Sequence, residues 1–321
     1  MSTAPFEPAT LVAPGTLLVD SGYVRPHLAA CYLLAGKDSA AIVETGHAGT
    51  VPRLLAALDD AGVDRRAVSH VIVTHVHLDH AGGAGALMKA LPDATLIAHP
   101  RGARHLVDPT KLWAGTAAVY GAEATQRLYG DPIAIPASRV VEAADGHTID
   151  LGGRRLTFLD APGHAKHHFV VRDELTRGFF TGDTFGLSYR ETDSAKGAFF
   201  FPTTTPVQFD PEALHATIER MIAERPERMY LTHYGCVSSR LQAHADTLHR
   251  GIDEHVRVAR AAPAGPGRHA AIKAGLADYL LAGLDAHRAP TTRERALVLF
   301  DNDLELNAQG LGVWLDGGMT G

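Results

Sequence analysis

Residues 74–80 read Thr74-His75-Val76-His77-Leu78-Asp79-His80, three histidines and a carboxylate within six positions, directly after the apolar run 71–73 and before Ala81-Gly82-Gly83. A solvated loop has little reason to carry so many metal-binding side chains. In an extended segment alternate side chains point to the same side, so His75 and His77 can converge on one point. If the chain then turns, Asp79 and His80 face a second point close by, and one short loop serves two metals. Imidazole and carboxylate suit zinc, iron and manganese alike, so the donor set specifies a transition metal without naming it. Three further candidates each follow an apolar run: His164 after Ala161-Pro162-Gly163, Asp183 after Phe179-Phe180-Thr181-Gly182, and His233 after Met229-Tyr230-Leu231-Thr232.

The order HxHxDH, then His, then Asp, then His, resembles the metallo-β-lactamase superfamily over about residues 15–235. The resemblance implies an α/β fold, the αββα sandwich of that family. It assigns His75, His77 and His164 to a first metal, Asp79, His80 and His233 to a second, and Asp183 to a bridge between them. Three protein ligands plus a bridge leave an exchangeable position at each ion, which marks a catalytic site. Two divalent ions are therefore expected, zinc first, with iron or manganese as alternatives. Such a pair, about 3.5 to 4 Å apart, can hold a hydroxide between its members and polarise a substrate oxygen. Asp79 and Asp183 are the acidic members of this catalytic set. Asp79 has a second reading, as a partner that orients a histidine, but the HxHxDH form usually completes the second site.

The implied activity is metal-dependent hydrolysis of an ester, thioester or lactone in a small, partly apolar substrate. A class B β-lactamase usually carries a cysteine where Asp183 stands, so penicillin hydrolysis is not expected. The HxHGDH of RNase Z and the HxExDH of flavodiiron proteins are not matched. Glyoxalase II members follow the bridging aspartate with a glycine- and arginine-containing segment; Thr184-Phe185-Gly186-Leu187-Ser188-Tyr189-Arg190 departs from it. Lactonases of the family place a tyrosine three residues beyond that aspartate, where Gly186 stands here. Tyr189 is then the candidate donor to the oxyanion or leaving group, against a packing role. Residues 198–202, Ala-Phe-Phe-Phe-Pro, favour an apolar substrate if they line the cleft and leave polarity open if they are a packed loop. A different class, the mononuclear iron persulfide dioxygenases, resembles glyoxalase II and keeps the same motifs. A non-catalytic small-ligand-binding protein on this scaffold is the remaining reading.

Two departures bear on the site's support. His168 takes the last position of a GHxxxH element and is expected to hydrogen-bond behind the site rather than to ligate. Glu44, in Val43-Glu44-Thr45-Gly46, stands where the family has an aspartate, a change that touches geometry more than the site's existence.

To position these residues, the first half must alternate strands and helices. Short apolar runs at 17–20, 31–34, 40–44, 71–73 and 95–98 predict strands. Thr50 is expected to cap a helix through Leu54, Leu55 and Leu58 that Gly62 closes, and a further helix is expected over 84–90. Residues 100–132 turn helical, and the resemblance implies a lid or pocket wall there. Strands are expected at 140–142, 148–151, 156–160, 169–171, 179–181 and 229–231. Asp210-Pro211 predicts a helix start, with the aspartate as N-cap and proline in the first turn. Apolar residues recur at helical spacing from Leu241 to Val256 and from Ile272 to Leu284, and the tail over 291–315 favours a helix. The division is a catalytic domain over 1–236 with the 100–132 insertion, then a mainly helical extension over 237–321.

The 321 residues fit one core plus an appendage, and 45% hydrophobic content suffices for a packed interior. A net charge of -6 without charge blocks argues against nucleic acid or an anionic membrane as partner and leaves a small-molecule substrate. Residues 1–13 lack the pattern of a secretory signal and no 18 apolar residues run together, so a cytoplasmic protein is expected. Cys31 and Cys236 follow no CxxC or disulfide spacing and are expected to be small buried side chains. Oligomeric state leaves no trace in the sequence.

Overall fold

The computed structural model describes residues 6–205 and 207–317, so residues 1–5 of the N-terminal stretch read for a secretory signal lie outside them. The chain opens with β1 (Thr10–Ala13), β2 (Thr16–Asp20), β3 (Ala30–Ala35) and β4 (Ala40–Val43), paired antiparallel in sequence order. Then come α1 (Val51–Asp60), β5 (Val68–Ile72), α2 (Leu78–Ala81), α3 (Ala84–Ala90), β6 (Thr95–Ala98), α4 (Pro100–Val107), α5 (Thr110–Tyr120), α6 (Ala122–Tyr129) and β7 (Val140–Glu142). From β4 onward the pairing is parallel. Helices make the crossovers that parallel neighbours need. The result is a seven-stranded sheet in the order β1 to β7.

Period-two alternation decides which side chains meet which layer. Cys31, Leu33, Ile42, Val71 and Leu96 share one cluster with Leu54 and Leu58 of α1 and Leu87 and Met88 of α3. Each fully buried leucine or isoleucine there contributes roughly 1.5–3 kcal/mol. Tyr32, one position out of phase, instead meets Phe180 edge-on with ring centroids 5.2 Å apart. Phe180 belongs to a second sheet, begun by β8 (Thr148–Asp150), β9 (Arg155–Asp160), β10 (Phe169–Asp173) and β11 (Gly178–Gly182). The buried ion pair of Arg154 and Asp173 (2.7 Å) fastens this sheet to the first, because Arg154 also donates to Gly15 O and to Thr16 Oγ1 at the start of β2.

After β11 come α7 (Pro211–Ala223), β12 (Arg228–Leu231) and β13 (Gly235–Val237), and the second sheet runs β13-β12-β11-β10-β9-β8. The C-terminal part is helical: α8 (Leu241–Ala261), α9 (Arg268–His287), α10 (Arg293–Leu299) and α11 (Asp301–Leu315). Two sheets flanked by helices, followed by a helical appendage, form the expected αββα sandwich. The tail is two helices rather than one, divided at the buried Phe300.

Asp210 caps α7 as expected, accepting from Ala213 N at 3.1 Å, with Pro211 in the first turn. Thr50 does not cap α1. Its hydroxyl donates to Ser21 O (2.9 Å) and accepts from His47 N (3.2 Å), so it ties two loops instead. Cys31 is buried, which pushes its thiol pKa up, whereas Cys236 is only half-buried.

Internal contacts divide the residues into two compact units. The first comprises Met1–Asp160, His167–Gly182 and Thr232–Cys236; the second comprises Ala161–Lys166, Asp183–Leu231 and Val237–Gly321.

Candidate metal centre

In the first unit, β5 delivers the chain to residues 73–77, and His77 adopts an extended conformation at the head of α2. This one-turn helix carries Asp79 and His80, so the chain does turn after His77, as two facing points require. The turn fits closely against the segment after β4. Thr45 N and Thr45 Oγ1 both donate to His80 O at 2.8 Å. A Cβ at Gly83 would lie 2.4 Å from Thr45 O, so only glycine lets the helix pack this tightly.

Five of the seven expected ligands gather here. His75 Nε2 lies 2.9 Å from His77 Nδ1, and the rings of His75 and His80 are 4.0 Å apart. Asp79 Oδ2 stands 3.7 Å from His80 Nε2 and 3.4 Å from His233 Nε2. Asp79, His80 and His233 offer ligand atoms that all lie within 4.8 Å of one another. The other nitrogen of each histidine is already engaged: His80 Nδ1 on Glu44 Oε1 (3.1 Å) and His233 Nδ1 on Leu28 O (2.9 Å). A backbone carbonyl or carboxylate on one ring nitrogen fixes the tautomer and turns the other towards a metal. The donors therefore fit a divalent ion by chemistry and by orientation.

Glu44 does more than replace the family's aspartate. Buried at 1% exposure and at φ +66, it accepts from Thr74 Oγ1 (2.5 Å), Thr74 N (3.3 Å) and Thr232 Oγ1 (3.3 Å) besides His80. Thr74 Oγ1 in turn lies 3.1 Å from His75 Nδ1. One carboxylate thus addresses His80 directly, His75 through Thr74, and the residue preceding His233.

His168 is buried and lays its ring beside that of His75, centroids 4.8 Å apart. Gly182 makes room for it: at φ +49, a Cβ there would stand 2.4 Å from His168 Nε2 and 2.6 Å from Thr74 Oγ1. His167, passed over in the sequence, sits half-buried with its ring 5.6 Å from that of His77. Its signal was the doubled histidine at 167–168. Leu28 was not legible at all, because it acts through a carbonyl that every residue possesses.

The 100–132 segment, helices α4 to α6, reaches the same neighbourhood. Tyr129 at the end of α6 meets Tyr23 with hydroxyl oxygens 2.5 Å apart, and the two cluster with Ala29 and Leu78, the residue between His77 and Asp79. Burial, then Tyr23, then the charge of Asp79 push the Tyr129 pKa far up, so its hydroxyl stays protonated.

The second unit holds the other two expected ligands as a pair. His164 Nε2 lies 3.4 Å from Asp183 Oδ2, and Thr203 Oγ1 contacts His164 Nδ1 (3.2 Å) while donating to Asp183 O (3.1 Å). Helix α7 backs the turn before His164: Asp210 N donates to Gly163 O (2.8 Å) and Thr217 Oγ1 to Pro162 O (2.7 Å). Thr203 opens the threonine run after Pro202 and was not assigned a role from the sequence.

Tyr189 follows its packing reading. It is 1% exposed, its hydroxyl bonds both carboxylate oxygens of Asp303 on α11 (3.1 Å each), and its ring meets Phe300. Residues 199–201 are likewise the packed loop, not a cleft lining. Phe201 is fully buried among His255, Tyr279 and Phe300, Phe200 stacks on His244, and Phe199 meets His287.

Comparison with known proteins agrees with this architecture. ST1585, a metallo-beta-lactamase fold-containing protein of Sulfurisphaera tokodaii, is 24% identical over 226 residues, 67% of this chain and 76% of that protein. Its crystal structure superposes with a TM-score of 0.62 at 20% identity, covering 93% of this chain and 98% of that one. The metallo-beta-lactamase family protein TTHA1429 of Thermus thermophilus superposes with a TM-score of 0.65 at 19% identity, covering 96% and 95%. A coenzyme F420H(2) oxidase of Methanothermobacter thermautotrophicus is 28% identical over 135 residues, which are 41% of this chain and 28% of the oxidase. The sequence model of the metallo-beta-lactamase superfamily matches residues 24–233, the span that runs from the loop beside Leu28 through the histidine loop to His233. With its two sheets, its His-rich loop and that match, the chain belongs to the metallo-beta-lactamase superfamily.

Proposed function

We propose that this protein is a dinuclear metal-dependent hydrolase of an ester, thioester or lactone bond in a small molecule. The observation that carries the reading is the Asp79, His80 and His233 group, whose two imidazoles are each held from behind by Glu44 or by the Leu28 carbonyl. The mononuclear iron dioxygenases keep the same motifs, so the number of ions bound decides between the two readings. In this reading His75, His77 and His164 hold the first metal, Asp79, His80 and His233 the second, and Asp183 joins both. Bound ions would supply a nucleophile at neutral pH and polarise the substrate oxygen. The chain's own part is to orient the imidazoles through Glu44, Thr74 and Thr203. With residues 199–201 packed inside the second unit, they give no argument for an apolar substrate. The superfamily assignment and the donor chemistry leave zinc, manganese or iron as candidates.

The test is metal content by plasma mass spectrometry on protein purified without added metal, beside turnover of a lactone and thioester panel. Two ions per chain in wild type, falling to one in His233→Ala with loss of most turnover, is the expected result. Unchanged turnover with a single ion bound would sink the proposal. The second reading is a mononuclear iron oxygenase acting on a persulfide, because such enzymes resemble glyoxalase II and keep the same motifs. Near one iron per chain, with oxygen consumed on addition of glutathione persulfide, would put that reading first.

A further inference from the structure

We propose that His215 and His249 form a separate binding site for a divalent transition-metal ion, at the contact between α7 and α8 in the second unit. His215 and Glu219 on α7, and His249 and Asp253 on α8, are each four residues apart, so on each helix one imidazole and one carboxylate share a face. The partnerships cross between the helices: His215 Nε2 lies 3.2 Å from Asp253 Oδ1, and His249 Nε2 lies 2.8 Å from Glu219 Oε1. The remaining nitrogens meet head-on, Nδ1 to Nδ1 at 2.6 Å, with ring centroids 4.9 Å apart and planes 19° from parallel.

Asp253 hydrogen-bonds the outer nitrogen of His215, which fixes the proton there and leaves its inner nitrogen as a lone-pair donor, while Glu219 stands beside the outer nitrogen of His249 without hydrogen-bond geometry. Two inner nitrogens this close hold either one proton or one metal ion between them. A carboxylate bonded behind a ring, as Asp253 is behind His215, is the support that metal-ligating imidazoles characteristically have. An ion bonded at about 2.0–2.1 Å to both nitrogens needs them roughly 3.3 Å apart. Rotation of two side chains that are 29% and 19% exposed provides that opening of less than an ångström. Imidazole donors select zinc, copper or nickel over magnesium or calcium. Water completes the coordination, so this site binds more weakly than a centre with three or more protein ligands. An ion here would clamp α8 to the helix that backs the Pro162–Gly163 turn before His164.

The experiment equilibrates chelator-stripped full-length protein with Zn²⁺ by dialysis and counts zinc per chain. Wild type should hold about one zinc more than His215→Asn/His249→Asn. Glu219→Gln/Asp253→Asn, which keeps both imidazoles, should bind that additional zinc about ten-fold or more weakly. A zinc titration of wild type followed by imidazole nitrogen resonances should move His215 and His249 together, and it decides the matter even if the asparagine variant fails to fold. Equal zinc counts in wild type and variant, or unmoved His215 and His249 resonances, would mean that the pair shares only a proton and would overturn the proposal.

Discussion

Glu44 concentrates more of the site's geometry than any ligand does. Its carboxylate receives Thr74, Thr232 and His80 at once, and Thr74 relays it to His75. Glu44→Gln keeps the shape, but its amide nitrogen faces Thr74 N in one orientation and Thr74 Oγ1, Thr232 Oγ1 and His80 Nδ1 in the other, and the remaining oxygen is a weaker acceptor than a carboxylate. Loss of such a supporting partner typically costs 10–100-fold in metal affinity. We expect that loss in a chelator competition assay for Glu44→Gln, with substantial recovery in Glu44→Asp, the residue the family uses. Wild-type affinity in the glutamine variant would show that Glu44 serves the backbone turn alone. The sequence marked Glu44 as a departure and named the seven candidate ligands by their order. It could not mark Thr74, Thr232 or Leu28 as supports, because a threonine or a carbonyl acquires such a role only when folding brings a partner to it.

At the scale of elements, legibility follows periodicity. Residues 84–90, 95–98 and 140–142 are bounded as the apolar pattern predicts, and α7 begins at the Asp210-Pro211 signal. Residues 199–201 were ambiguous because three phenylalanines read alike in a cleft wall and in a core. Burial against α8, α9 and Phe300 resolves them. This packing has a pH consequence through His255 on α8. Its Nδ1 donates to Gly251 O at 2.7 Å and its ring lies between Phe201 and Tyr279. Burial lowers its pKa to about 4 from an ordinary 6.5. Between those values the unfolded chain binds the proton and the folded chain does not, so stability rises with pH across the window. It is fully present above about pH 6.5 and declines as pH falls towards 4, by roughly 3 kcal/mol at the low end. Urea unfolding between pH 7 and 4.5 should show this decline in wild type and a shallower one in His255→Phe. The residual slope in that variant belongs in part to His244, whose pKa burial also lowers to about 4. Equal slopes in the two proteins would exclude His255 as a source.

For the whole molecule, the proposed centre draws its candidate ligands from four separate stretches of the sequence, around His75–His80, His164, Asp183 and His233. Ligands so distributed make metal binding a term in the stability of the folded chain, because the unfolded chain has no such site to offer. An ion held at 100 times its dissociation constant adds about 2.7 kcal/mol. For a chain of this size, that is a rise of a few degrees in the melting temperature. We therefore expect calorimetry of the chelator-stripped protein to give a lower transition temperature, and reloading to restore the higher one. Asp183→Asn, deprived of the bridging ligand, should respond to reloading far less than wild type. A melting curve indifferent to metal in wild type would mean that the histidine loop is held by Glu44, Thr45 and its own packing without contribution from an ion. A wild-type response matched in full by Asp183→Asn would confine the stabilising ion to His75, His77, Asp79, His80 and His233.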